Sequence, residues 1–97
     1  MGDGKCGRHN YDRIDQSKMD AILKALTENG CTISGNNPWD VDTHKYGIKL
    51  QGSYDPNKEI LSIIVTAKDW YVPCSKIWDF IDSTIKHIQT LEAAELV

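Results

Sequence analysis

Tyr46-Gly47-Ile48-Lys49-Leu50-Gln51-Gly52-Ser53-Tyr54 and Glu59-Ile60-Leu61-Ser62-Ile63-Ile64-Val65-Thr66-Ala67-Lys68 are two alternating apolar runs, joined by Asp55-Pro56-Asn57-Lys58. Alternation at a period of two predicts strands with one buried face. On the first run Tyr46, Ile48, Leu50 and Tyr54 share a face, with Gly52 between them, while Lys45, Lys49, Gln51 and Ser53 point the other way. On the second, Leu61, Ile63, Val65 and Ala67 form the core face. The linking residues suit a type I turn, because proline presets the first central residue and asparagine tolerates the second. The stretch is therefore a β-hairpin, and the rest of the chain reads as its cover.

Working outward, Asp15 to Asn29 carries Met19, Ile22, Leu23 and Leu26 at helical spacing. They form a stripe about 100° wide. Asp15 or Ser17 can cap its start, and Gly30 sits where a left-handed residue ends a helix. Cys31-Thr32-Ile33-Ser34 reads as a first strand, broken by Gly35-Asn36-Asn37-Pro38, and Trp39 to Thr43 leads into the hairpin. Beyond the hairpin, Pro73 with Cys74 or Ser75 opens a last helix. There Ile77, Ile81, Thr84, Ile85, Ile88 and Leu91 face inward, flanked by Trp78 and Phe80, and Glu92 marks where the helix leaves the core. The expected fold is α+β: an α-β-β-β-α order with a three-stranded antiparallel meander and two helices packed on one face. Residues 1–13 read as a flexible N-terminal tail, 14–92 as a single domain and 93–97 as a frayed C-terminus.

Composition narrows the classes. The chain has 97 residues, 40% apolar and 26% charged, with a net charge of −3. That is one folded domain with a small core. Nucleic-acid binding needs clustered Lys and Arg, which are missing, so it is disfavoured. The α-β-β-β-α order is shared by double-stranded RNA-binding domains, which place a lysine cluster at the start of the last helix. Here that start reads Pro73-Cys74-Ser75-Lys76-Ile77, with one lysine, and order alone carries no function. No apolar run reaches the roughly 18 residues of a membrane span, and the N-terminus has no signal-like apolar segment. Cys6, Cys31 and Cys74 are odd in number and far apart, which predicts reduced thiols and a cytoplasmic protein.

With three strands in 1-2-3 order, one end of the sheet gathers the connection at 35–43, the loop at 69–74 and the starts of both helices. Trp39, Asp40, Asp42, His44, Trp70, Tyr71, Cys74 and Trp78 would meet there, joined by Cys6 and His9. Cys74 at a helix N-terminus, with His44 and Asp42 nearby, would make a Cys–His–Asp constellation, since the helix end favours a thiolate. No nucleophile elbow or comparable signature accompanies them. Cys6 and His9 have a ligand-like spacing, but there is no C-x-x-C or H-E-x-x-H, and the sequence implies no metal or other cofactor. Trp39, Asp40, Trp70, Tyr71 and Trp78 read as a binding surface, because Trp and Tyr combine contact area with a polar handle. Ile60 and Ile64 stand on the outer sheet face as a possible dimer face. The expectation is a small non-catalytic binding or interaction protein, with a protein partner or a second copy as its target. The alternatives are a small-molecule-binding domain and a cysteine- or metal-dependent enzyme at the Trp39/His44/Cys74 end.

Overall fold

The computed structural model describes residues 6–95, with side chains described as far as Ile88. The expected roles of Leu91 and Glu92 and the placement of residues 1–5, 96 and 97 lie outside that description. The elements are β1 (Arg8–Tyr11), α1 (Gln16–Glu28), β2 (Thr32–Gly35), β3 (Trp39–Asp42), β4 (Lys49–Asp55), β5 (Ile60–Ala67) and α2 (Cys74–Glu95). Helix α2 is described as far as Glu95. The α+β class holds. The three-stranded meander does not: among the described residues the sheet has five strands, ordered β1-β5-β4-β3-β2, with every neighbouring pair antiparallel.

The hairpin β4–β5 is the middle of this sheet, as its alternation requires. Leu50, Gly52 and Tyr54 are buried on β4, and Leu61, Ile63 and Val65 on β5. They share one buried cluster with Met19 and Ile22 of α1 and with Ile77, Trp78, Ile81, Ile85 and Ile88 of α2. The two helices also touch each other. Asp15 caps α1, its carboxylate accepting from the Lys18 N–H at 2.8 Å. That bond holds the Asp15 carboxyl below its usual range. Gly30, at φ +90°, follows the helix end as the left-handed residue.

Two strands were not anticipated. Trp39–Asp42 pairs with β4 from Trp39↔Gly52 to Asp42↔Lys49. Its alternation is real, with Trp39 and Val41 turned in and Asp40 and Asp42 out, but four residues with two aspartates carry a weak strand signal. Arg8–Tyr11, read as part of a tail, forms an edge strand on β5, with Arg8 opposite Ile64 and Tyr11 opposite Leu61. Its inward residues are tied to α2. The His9 ring stacks on Trp78 with centroids 3.6 Å apart and planes at 5°, and the Tyr11 hydroxyl donates to the Asp82 carboxylate. The Trp78 Nε1–H donates to the Cys6 carbonyl at 3.1 Å. Cys6 is bonded to Cys74 across 68 residues. The expectation of three reduced thiols is therefore corrected, and Cys31, buried, is the free cysteine. Spacing could not reveal this bond, because its two halves meet only when β1 joins the sheet.

The extra strand β3 reverses the chain direction of everything before it. The 36–38 connection consequently lies beside the β4–β5 turn, where the Asn37 side chain bridges Tyr54, accepting from its N–H at 2.9 Å and donating to its carbonyl at 2.8 Å. Helix α1 starts at this end as well: Ile14, just before its cap, donates its N–H to the Glu59 carbonyl at 2.9 Å. The other end holds the 43–48 and 68–73 segments, the exit of α1 and the entry of α2. The expected placing of both helix starts at one end is wrong for this reason.

Thiol titration tests the cysteine assignment: the unfolded, unreduced protein should show one reactive thiol per chain and the reduced protein three. Cys6→Ser should lower unfolding stability by about 2–4 kcal/mol, as expected for opening a long covalent loop. Three thiols without reductant would refute the pairing.

Candidate functional site

The sheet end formed by 43–48 and 68–73 is shaped by one buried hydroxyl. Thr43, 7% exposed, is the buried polar side chain among the described residues. Its N–H and Oγ1–H both donate to the Ile48 carbonyl, at 3.2 and 2.9 Å. The Ile48 N–H donates to the Lys45 carbonyl at 3.0 Å. The loop so closed is sharply coiled, with His44, Tyr46 and Gly47 all at positive φ (58°, 54° and 64°). Extended parity fails there, which is why His44 does not follow Leu50 onto the core face. The second segment docks on the first: the Asp69 N–H donates to the Tyr46 carbonyl at 2.9 Å. A Cβ on Gly47 would lie 2.5 Å from Asp69 Oδ1 and 3.3 Å from its backbone nitrogen, so only glycine lets the two loops close.

Between these loops and α2 the core is open. A cavity of about 340 Å³ is lined by Tyr46, Ile48, Tyr71, Pro73, Lys76 and Ile77, with Val72 behind. A second, of about 160 Å³, shares Tyr46, Ile48 and Ile77 and extends to Leu50, Phe80, Ile81 and Cys31. Together they make an apolar groove running from the start of α2 toward the exit of α1. Its rim is aromatic: Tyr46 is 62% exposed, Tyr71 58% and Phe80 44%. Tyr71 donates its hydroxyl to Asp69 Oδ2 at 3.2 Å. The Asp69 charge, ahead of partial burial, raises the Tyr71 pKa and keeps the phenol protonated. Burial raises the Cys31 thiol pKa as well, against the pull of Lys45.

The residues singled out from sequence are dispersed by the fold. Cys74 is spent in the bond to Cys6. The His44 ring meets Thr32, with Nε2 2.6 Å from its Oγ1, and its Nδ1 lies 3.7 Å from Asp42 Oδ1, while the His44 backbone N–H donates to that same oxygen at 2.9 Å. The Cys74–His44–Asp42 constellation is therefore not formed. Trp39 is half-buried against the core cluster and borders a small cavity of about 30 Å³ with Met19, Ile22 and Leu26 of α1, away from the loop end. Trp78 is buried and anchors β1. Asp40 lies on the outer face, accepting from Gln51 at 3.4 Å. Ile60 and Ile64 are half-buried there, Ile64 opposite Arg8. Of the proposed binding set, Trp70 and Tyr71 alone lie at the groove end. Their rings meet edge-on at 5.8 Å, and Trp70 is 89% exposed. Among the described residues no group of three or more His, Cys, Asp or Glu is placed to hold a metal, and no helix is long and apolar enough to cross a membrane. Tyr46, Ile48 and Phe80 were missed as site residues. Tyr46 and Ile48 were assigned to an extended strand, and the exposure of Phe80 depends on how far α1 reaches.

Comparison with family models, curated proteins and solved structures found no match.

Gly47→Ala should destabilise the fold by about 1–2 kcal/mol, the cost of a left-handed non-glycine residue, and loosen the contact with Asp69. Thermal unfolding measures the first and amide exchange at Asp69 the second. Unchanged values would show that the two loops are not locked together at this point.

Proposed function

We propose that this chain is a non-catalytic binding domain that takes a small apolar ligand in the groove between the 43–48 loop and α2. The observation that carries this reading is the opening in the core itself. A cavity of about 340 Å³ reaches Ile48 and Ile77 and falls in the size range of ligand pockets, roughly 300–1,000 Å³. Aromatic side chains at its mouth offer contact area at little entropic cost. The commitments of Cys74 to Cys6 and of His44 to Thr32 remove the constellation that had favoured an enzyme. One observation favours a protein partner as a second reading. Trp70, 89% exposed, lines neither cavity, and a tryptophan standing clear of the groove suits a protein contact. The Cys6–Cys74 bond supports an oxidising compartment, in place of the cytoplasm expected from cysteine count.

An uncharged solvatochromic dye such as Nile red should bind the native protein saturably, with one site per chain. Phe80→Glu, at an exposed position, should weaken that binding at least about fivefold, since a buried carboxylate opposes an apolar ligand. Trp70→Ala should leave it unchanged. Absence of saturable dye binding would sink the ligand reading, whereas loss only in Trp70→Ala would move the site to the protein-contact surface.

A further inference from the structure

Resting on that reading, we infer that the groove is built for an amphiphilic anion, a carboxylate or similar acidic head carried on an apolar tail. The two charged residues in the combined lining are both cations, Lys76 beside the larger cavity and Lys45 beside the smaller. Among the described residues no carboxylate lines either cavity. Asp69, the nearest acid in the loops, is turned to Tyr71 and to the backbone face of Gly47. The chain as a whole carries a net charge of −3, so two cations bordering its apolar opening run against the overall balance.

The geometry orders the ligand. Lys76 and Pro73 flank the larger cavity at the entry of α2, where the helix dipole also favours negative charge. Ile81 and Leu50, both buried, line the smaller cavity, with the exposed Phe80 at its rim. The head is therefore held near Lys76, and the tail passes Ile48 and Ile77 toward Phe80. At about 340 Å³ the larger cavity stands at the small end of ligand pockets, roughly 300–1,000 Å³. That is the scale of a medium-chain or aryl carboxylate. Lys45, exposed at the other mouth, adds a second positive charge to the groove as a whole, while the entry of α2 makes Lys76 the partner of the head.

Three ten-carbon probes separate charge from apolarity: decanoate, decanol and decyltrimethylammonium, each competed against Nile red on the intact oxidised protein. Decanoate should displace the dye with an affinity on the order of 100 µM, the value that modest ligand efficiency gives. It should bind at least about fivefold more tightly than the other two probes, a margin in keeping with one partly exposed charge pair. Lys76→Glu should abolish that preference while leaving decanol unchanged, and Lys45→Gln should reduce it. Both side chains are exposed, so the variants are expected to fold, and their thermal unfolding checks this. Equal binding of all three probes, or an undiminished decanoate preference in Lys76→Glu, overturns the anion assignment while the groove stands. Failure of Nile red itself to bind overturns the groove and the anion together.

Discussion

Burial of Leu61, Ile63 and Val65 on β5 is the interaction on which the rest depends. This strand is bonded on both sides, to β4 along its length and to β1 at its first half. Its inward residues are 1%, 7% and 0% exposed. Fully burying three such side chains is worth roughly 5–9 kcal/mol in water transfer, comparable with the whole net stability of a small domain. The other strands extend the sheet, and both helices contribute side chains to the same buried cluster. The hydroxyl of Tyr54, donating to the Ile14 carbonyl at 2.6 Å, carries that cover across to the chain entering α1.

The edge strand β1 would be weak by itself, four residues with little apolar surface. Besides its ladder to β5, it is held by three contacts that converge on α2: the bond from Cys6 to Cys74, the stack of His9 on Trp78 and the link from Tyr11 to Asp82. Trp78 thereby serves the core and not a ligand. The result is an asymmetric domain. One side of α2 is sealed by β1, and the other is left open toward the 43–48 loop, where the groove lies.

The coiling of that loop connects fold and site. Two non-glycine residues at positive φ, His44 and Tyr46, would be unfavourable in an unsupported segment. Here the buried Thr43 hydroxyl and the docking of Asp69 on Tyr46 hold them in place. The same coiling turns Tyr46 out of the sheet and leaves Ile48 with incomplete cover, so the apolar opening is a consequence of how the loop is closed. The cations at its two ends come from different elements, Lys45 from the loop and Lys76 from the helix, and only the tertiary structure sets them on one groove.

The local sequence determined the α+β class, the β4–β5 hairpin, the apolar stripes of α1 and α2, and the helix stop at Gly30. Each is written in a period of two or 3.6 or in a residue with a special backbone requirement, and such signals survive without neighbours. The exposure of Trp70 and Tyr71 was also legible, because aromatics in a short loop have little core to enter. The tertiary structure alone decided the strands β1 and β3, the Cys6–Cys74 bond and the separation of Trp39, His44 and Cys74. Four residues carry little periodicity: β2 declared itself through the adjacent β-branched Thr32 and Ile33, whereas β1 (Arg8-His9-Asn10-Tyr11) and β3, with its two aspartates, offer no such signal. One unrecognised strand then inverts the direction of the preceding chain, so each long-range placement derived from a three-stranded order fails together. Local patterns specify which face of an element is apolar; which end of the sheet a residue reaches is set by the number of strands and by the long-range pairs that close them.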